Sequence, residues 1–205
     1  MKIAIVGTGN VGGVLAGKWA KVGHEINLGV RDPENFKGRH LLEDPAINAY
    51  PIEDAVAKSK VIVMATPAPM AVEVTQSLGN TTGKVIIDTM NIVNGKGPEG
   101  FETTSEAILA NTDTRNVIKC FNSTGFNNMI DPVYDGKAVD MFMCGDSEEG
   151  KEIARQLAHD IGFEVCYDVG GNDKFYLMEQ FASFWINLAM FQGQGREIAF
   201  KLLKR

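Results

Sequence analysis

The chain has 205 residues, 44% of them hydrophobic and 22% charged, and a formal net charge of −6 at pH 7. This is the composition of an ordinary globular protein, and its acidity argues against nucleic acid or an anionic membrane as the main partner. The three cysteines, Cys120, Cys144 and Cys166, are widely spaced in or beside apolar runs, which is typical of small buried side chains in a reducing compartment. We expect a cytoplasmic protein without a metal site or a membrane span.

The start of the chain predicts one strand–helix–strand unit. The apolar run Ile3–Val6 is typical of a buried parallel strand, and apolar side chains then recur at helical spacing from Val11 to Val22. A second strand, Glu25–Val30, stops at Arg31.

Strands and helices continue to alternate along the rest of the chain. Further strands are predicted at residues 47–50, 61–67, 84–91, 116–122, 138–145 and 163–170, and helices at residues 52–59, 69–78, 104–110, 147–161 and 175–191. We find no hairpin signal, so we predict an α/β fold: a doubly wound, mainly parallel Rossmann sheet with helices on both faces. Residues 1–122 would form the dinucleotide-binding domain, and residues 123–205 a small C-terminal α/β-helical extension packed on it.

The stretch GTGNVGG joins the first strand to the first helix. It has GxGxxG spacing, in which Gly7 permits the tight turn, Gly9 lets a pyrophosphate approach, and Gly12 lets the helix pack closely on the strand. The free N–H groups of the helix N-terminus suit phosphates. We therefore predict a dinucleotide site, with a purely structural glycine turn as the alternative.

The end of the second strand indicates which dinucleotide binds. An NAD site usually has an acid here, whereas this chain has Arg31, followed by Lys37 and Arg39. A guanidinium suits a 2′-phosphate, and the Thr8 hydroxyl could add a contact, so we predict NADP. Asp32 would instead be a ribose ligand if the strand ended one residue later, and Lys37 could be an ordinary surface lysine.

Polar residues follow three later strands, where ligands of open parallel sheets bind. The segments are Ala65-Thr66-Pro67, Met90-Asn91-Ile92 and Asn122-Ser123-Thr124. We expect the nicotinamide and its ribose here, and we take Asn91 and Asn122 as the candidates for a catalytic role. Thr66 and Asn91 could alternatively be turn-capping side chains.

The candidate side chains do not include an obvious proton donor. The histidines, His24, His40 and His159, do not lie at predicted strand ends, and no Lys or Tyr stands in an alcohol dehydrogenase pattern. Hydride transfer between a nicotinamide and a flavin-like ring depends mostly on positioning, because the cofactors carry the chemistry. This pattern therefore favours a flavin-type or deazaflavin-type acceptor.

Seven motifs in order resemble the deazaflavin-dependent NADP oxidoreductase family, which is related to the cytosolic domain of transmembrane ferric reductases. They are GTGNVGG, GHEINLGVRD, VIVMATP, IIDTMN, VIKCFNSTG, MFMCGD and FQGQGREIAFKLL. The resemblance covers nearly the whole chain. It implies a Rossmann NADP domain and a C-terminal part that completes the active-site pocket, often in a homodimer.

The resemblance also implies roles for particular residues. It places the 2′-phosphate near Thr8 and Arg31, the pyrophosphate at Asn10-Val11, and the nicotinamide between Thr66-Pro67 and Asn91-Ile92. The chain departs from the family pattern at Val30, where we expect a serine, and at Asn122, where the deazaflavin enzymes would have a histidine.

The leading hypothesis is an NADP-dependent oxidoreductase that transfers hydride between NADP(H) and a flavin or deazaflavin-type acceptor. The alternatives are an NADP-binding redox sensor without turnover and a small imine or keto-acid reductase. In the last helix, Gln180, Ser183 and Asn187 form a polar stripe, which would border either a dimer interface or the pocket of the second ring.

Overall fold

The computed structural model describes residues 1–205. Ten strands and seven α-helices follow one another along the chain. They are β1 (Lys2–Val6), α1 (Asn10–Lys21), β2 (Glu25–Val30), β3 (Ile47–Pro51), α2 (Ile52–Ala57), β4 (Val61–Met64), α3 (Ala71–Gln76), β5 (Val85–Asp88), α4 (Thr104–Ala110), β6 (Asn116–Cys120), α5 (Phe126–Ile130), β7 (Val133–Tyr134), β8 (Lys137–Ala138), β9 (Met141–Cys144), α6 (Glu148–Asp160), β10 (Cys166–Asp168) and α7 (Phe175–Ile186).

Eight of the strands form one sheet in the order β10-β9-β6-β5-β4-β1-β2-β3. The strands from β3 to β6 are all parallel, while β9 pairs antiparallel with β6 and parallel with β10. The order 3-2-1-4-5-6 is that of a Rossmann fold, and its connections reverse direction between β1 and β4. The predicted fold class is therefore confirmed.

Helices cover both faces of the sheet, which is why strands such as β4 and β5 are buried along their whole length. Leu15 and Trp19 of α1 and Leu157 of α6 belong to the core on one face. Val56 of α2 and Met178 of α7 belong to the core on the other face, together with α3 and α4.

The C-terminal part adds its strands to the same sheet. Helix α6 connects β9 to β10, and Ser147 caps its start, because the Ser147 hydroxyl accepts a hydrogen bond from the Gly150 N–H at 3.0 Å. The boundary that we draw after residue 122 stays a prediction.

Some of the expected elements differ from the observed ones. The expectation that the chain has no hairpin was wrong, because β7 and β8 pair antiparallel. The turn between them has positive φ angles at Asp135 (48°) and Gly136 (76°), which suit a tight hairpin turn. The predicted strand 61–67 ends at Met64, because the following residues leave the sheet. The predicted helix 175–191 ends at Ile186 and continues as one π-helical turn, Asn187–Phe191.

The three cysteines are buried thiols, as expected. Cys120 and Cys166 lie with their sulfur atoms 3.9 Å apart. Burial raises the pKa of Cys120 well above its usual range and that of Cys144 to about 12. Both thiols are therefore protonated at neutral pH. None of the helices combines the length and apolar composition that a bilayer span requires.

Candidate functional site

The glycine loop packs tightly against the end of β4. Gly7 has φ +103°, and a Cβ atom there would lie 2.5 Å from the Ala65 carbonyl oxygen. A Cβ atom on Gly12 would lie 1.9 Å from the carbonyl oxygen of Gly7. These two positions therefore exclude any side chain.

Gly9 lies in open space, in contrast to the other two glycines. A Cβ atom at Gly9 would meet no other atom within 4 Å. The residue directly precedes α1, which has no side-chain cap and no acidic residue in its first turn, so the first amides at Asn10 and Val11 keep their partial positive charge. A glycine that is not needed for packing, beside an uncapped helix, fits the pyrophosphate of a dinucleotide.

The end of β2 carries free positive charge. Strand β2 ends at Val30, so Arg31 is the first residue beyond the sheet, and its exposed side chain forms no ion pair. Lys37 is likewise exposed and unpaired. Asp32 instead accepts a hydrogen bond from the Glu34 N–H at 3.0 Å, which engages one oxygen of its carboxylate in a local turn.

A loop contact brings Lys37 to the glycine loop. The Thr8 hydroxyl donates to the Lys37 carbonyl, and the backbone at Gly38 (φ +95°) lies so close that a Cβ atom there would be 3.1 Å from the Thr8 carbonyl oxygen. The structure thus places Thr8 and Lys37 together. Because the hydroxyl proton of Thr8 is engaged with Lys37, the hydroxyl would have to rotate to donate to a phosphate.

The candidates at the ends of β4, β5 and β6 also lie near one another. The half-buried Thr66 hydroxyl is 3.3 Å from the Met90 sulfur, and Ala65 and Pro67 flank it at the surface of the same edge. Asn91 and Asn122 bind each other: the Asn91 amide donates to the Asn122 carbonyl at 2.8 Å, and the Asn122 amide donates to the Asn91 side-chain oxygen at 3.1 Å.

Asn122 is held in a strained and incompletely satisfied setting. Its amide also donates to the Met178 carbonyl of α7 at 3.0 Å, which fixes its orientation. The side-chain oxygen of Asn122 is then buried without a hydrogen-bond partner, and the preceding Phe121 has a positive φ of 60°. Such costs are typical of functional sites, where the surrounding structure enforces them.

A buried cluster of charges lies directly beneath these strand ends, and the sequence patterns did not predict it. Asp88 and Lys119 occupy paired positions on β5 and β6, with a distance of 2.9 Å between the Asp88 carboxylate and the Lys119 ammonium. Glu179 of α7 is 2.8 Å from the same ammonium. Asp88 and Lys119 are fully buried, and Glu179 is 3% exposed.

The ionisation of this cluster follows from its contacts. Burial alone would lower the pKa of Lys119, but the charges of Asp88 and Glu179 and their hydrogen bonds outweigh burial and raise it. Lys119 is therefore charged at neutral pH. The hydroxyls of Thr104 and Ser105 donate to Asp88 at 2.5 and 2.6 Å, which further stabilises the carboxylate.

The sequence does contain a signal for this cluster. Single charged residues stand inside the apolar strands KVIIDTMN and NVIKCFN and inside the apolar helix start FYLMEQF. Opposite charges on consecutive buried strands are a reason to expect a pair. The stripe residues Gln180 and Asn187 are exposed, so it is Met178 and Glu179 that reach the strand ends from α7.

Comparisons with known proteins point in one direction. Residues 2–92 match the family model described as NADP oxidoreductase, coenzyme F420-dependent. The F420-dependent NADP reductase of Methanothermobacter thermautotrophicus is 25% identical, and the alignment covers 92% of this chain and 89% of that protein. A solved structure, assigned as an F420-dependent NADP reductase from Arthrobacter sp. FB24, is 25% identical, with a TM-score of 0.87 and full coverage of both chains. These matches support the resemblance to the F420-dependent NADP oxidoreductase family.

A more distant group of solved structures shares the fold of this chain. A reductive aminase from Aspergillus terreus, solved with NADPH and ethyl-5-oxohexanoate, superimposes with a TM-score of 0.68 at 19% identity. The match covers 94% of this chain but 63% of the aminase, so the aminase contains a large part that has no counterpart here. The named homologues of the family are oxidoreductases.

The two glycine environments predict different defects. Gly12→Ala forces a methyl group against a backbone oxygen, so we expect it to destabilise the fold by about 1–3 kcal/mol. Gly9→Ala adds a methyl group in open space and should unfold like the wild type, yet bind NADPH at least about tenfold more weakly. Urea unfolding and NADPH titration of both variants check this. Normal NADPH binding by a folded Gly9→Ala protein would contradict a pyrophosphate site at this loop.

The buried cluster predicts that replacing Lys119 lowers the free energy of unfolding much more than replacing Lys151. Lys119→Met leaves two buried carboxylates uncompensated, so we expect a loss of about 3–5 kcal/mol in the free energy of unfolding. Lys151→Met is the control, because the partners of Lys151, Glu148 and Asp168, are 84% and 37% exposed and the expected loss is about 1 kcal/mol or less. Equal losses in urea unfolding would contradict the buried-charge explanation.

The same cluster sets a pH dependence. Folding raises the pKa of Lys119, so its stabilising contribution is complete below the ordinary lysine pKa of about 10.4 and is lost only as the pH rises through the higher folded-state value. Lys119 should therefore add no pH dependence to the stability of the wild type through the neutral range, and the wild type should lose stability as the pH rises above about 10.4, which urea unfolding at several pH values measures.

Proposed function

We propose that the protein is an NADP-dependent oxidoreductase that transfers hydride between NADP(H) and an F420-type deazaflavin or a flavin. The observation that carries the NADP part is the combination at one sheet edge of an open Gly9, an uncapped helix and the unpaired cations Arg31 and Lys37. In a protein with net charge −6, unpaired cations at the end of β2 provide a local site for a 2′-phosphate. The names of the related F420-dependent NADP reductases support the same pair of cofactors.

In this proposal the protein's residues bind and orient the rings. The nicotinamide and the deazaflavin supply the hydride chemistry when bound. The polar side chains at the strand ends, Thr66, Asn91 and Asn122, are neutral, and Asn91 and Asn122 fix each other's orientation. Groups of this kind position a ring by hydrogen bonds and exclude water, which is what transfer between two rings requires.

The pocket of the acceptor would lie between these strand ends and the C-terminal extension. Helix α7 contacts both candidate asparagine segments, through Met178 at Asn122 and through Glu179 at Ile92. The exposed side of α7 and the turn after it carry large apolar side chains, among them Leu177, Phe184 and Phe191. We infer that this side of α7 forms a homodimer interface, which the resemblance to the family also implies. Cytoplasmic localisation stays a prediction.

The proposed 2′-phosphate site predicts a change in cofactor preference. Charge-assisted hydrogen bonds contribute about 1.5–3 kcal/mol, so Arg31→Ala should weaken NADPH binding by about 10- to 100-fold and leave NADH binding nearly unchanged. Arg39→Ala is the matched control, because that arginine is already paired with Glu34. Fluorescence titrations with both cofactors measure the two ratios. An NADPH/NADH preference that is the same in Arg31→Ala and in the wild type would rule out the role of Arg31.

The acceptor is tested by following NADPH absorbance with a panel of second substrates. We expect oxidation with an F420-type deazaflavin or with a free flavin. Turnover with cyclic imines or keto acids instead would favour the reductase alternative, which the shared fold of the imine reductases raises. Tight NADPH binding with no oxidation by any acceptor would favour a redox sensor. The Gly9→Ala variant serves as the control for background oxidation.

A further inference from the structure

The segment Met90–Ile92 is held by buried charged side chains at three of its six backbone polar groups. The Met90 N–H donates to Asp88 at 2.9 Å, and the Met90 carbonyl accepts from the Lys119 ammonium at 3.0 Å. The Ile92 N–H donates to the second oxygen of Glu179 at 3.0 Å. A strand-end segment of this kind would ordinarily bind water, so the contacts to charged side chains need an explanation.

Glu179 connects this segment to a distant part of the chain. One of its oxygens is 2.8 Å from the Lys119 ammonium and the other accepts the Ile92 N–H. The residue lies on the buried side of α7, which otherwise carries apolar side chains such as Met178 and Ala182. A buried ion pair of this kind adds little to net stability compared with an apolar residue of similar size, so its value lies in fixing geometry.

We propose that Glu179 is a positioning residue: it fixes the Met90–Ile92 segment so that Asn91 and Ile92 present a preformed wall to the nicotinamide ring. This rests on the proposed function. The carboxylate works at two points at once, because it orients the Ile92 backbone directly and holds the Lys119 ammonium that binds the Met90 carbonyl. The C-terminal extension would thereby control the shape of a site whose other residues belong to the dinucleotide-binding part.

Comparing the binding of NADPH with that of a cofactor fragment, 2′-phospho-ADP-ribose, separates a positioning role of Glu179 from an effect on stability. NADPH and 2′-phospho-ADP-ribose share the adenosine, the 2′-phosphate and the pyrophosphate, and only NADPH carries the nicotinamide. In the Glu179→Met variant, Lys119 keeps its pair with Asp88, so the cluster is left with one ammonium and one carboxylate. We expect the dissociation constant for NADPH to rise ~10-fold, because the ring loses its preformed wall, while that for 2′-phospho-ADP-ribose stays unchanged.

A conservative variant and a control complete the experiment. Glu179→Gln can still accept the Ile92 N–H, but its amide group then faces the Lys119 ammonium, so its NADPH affinity should fall between those of wild type and Glu179→Met. Lys151→Met breaks a helix-to-strand ion pair of 2.9 Å with Asp168 of the edge strand β10, which forms no bond to Met90–Ile92, and both of its affinities should equal those of the wild type.

The outcomes are distinct. If Glu179→Met weakens the binding of both ligands equally, or of neither, the positioning role is overturned while the proposed function stays intact. If Glu179→Met does not fold, the same comparison on Glu179→Gln decides the matter. A wild-type protein that binds neither ligand overturns the proposed function and this inference with it.

Discussion

The ammonium group of Lys119 is the centre around which the carboxyl edge of the sheet is organised. It joins β6 to β5 through Asp88, to α7 through Glu179, and to the chain after β5 through the Met90 carbonyl. An ion with no exposure cannot replace a lost partner with water, so any movement that removed one would cost a buried hydrogen bond. The strand-end segments that carry the candidate site are therefore fixed from below by the contacts of Lys119.

Glycines provide a second and independent constraint on the other side of the site. Gly7 and Gly12 let the loop, α1 and the end of β4 approach more closely than any side chain would allow, whereas Gly9 is left free of contacts. Packing explains two of the three glycines, and the third, Gly9, is the one that we predict beside the pyrophosphate. The cations follow a similar division, because Arg39 is paired with Glu34 but Arg31 and Lys37 are not. Gly9, Arg31 and Lys37, which have no evident packing or pairing role, are the residues that we predict to contact the dinucleotide.

The sequence alone was sufficient for the features that depend on local periodicity. Alternating apolar runs and helical spacing predicted the mainly parallel Rossmann sheet. The glycine loop and Arg31 could be singled out because they lie within one strand–helix–strand unit. The contact of Thr8 with Lys37 could not be predicted, because it depends on how a long irregular loop folds back. The pairing of Asp88 with Lys119 required the register of two strands, and the choice of Met178 and Glu179 over Gln180 and Asn187 required the rotation of α7 about its axis.

The strain at Phe121 shows why the two halves of the chain have to act together. A buried phenylalanine with φ of 60° costs about 1–3 kcal/mol, and such a conformation persists only where its neighbours enforce it. On one face of the sheet, the Phe121 ring packs edge-on against Trp19 of α1 with centroids 5.5 Å apart. The next residue, Asn122, is held by the Met178 carbonyl of α7, which packs on the opposite face. The bend between them thus depends on a helix from each part of the chain, so the geometry at Asn122 is a property of the assembled fold and not of either part alone.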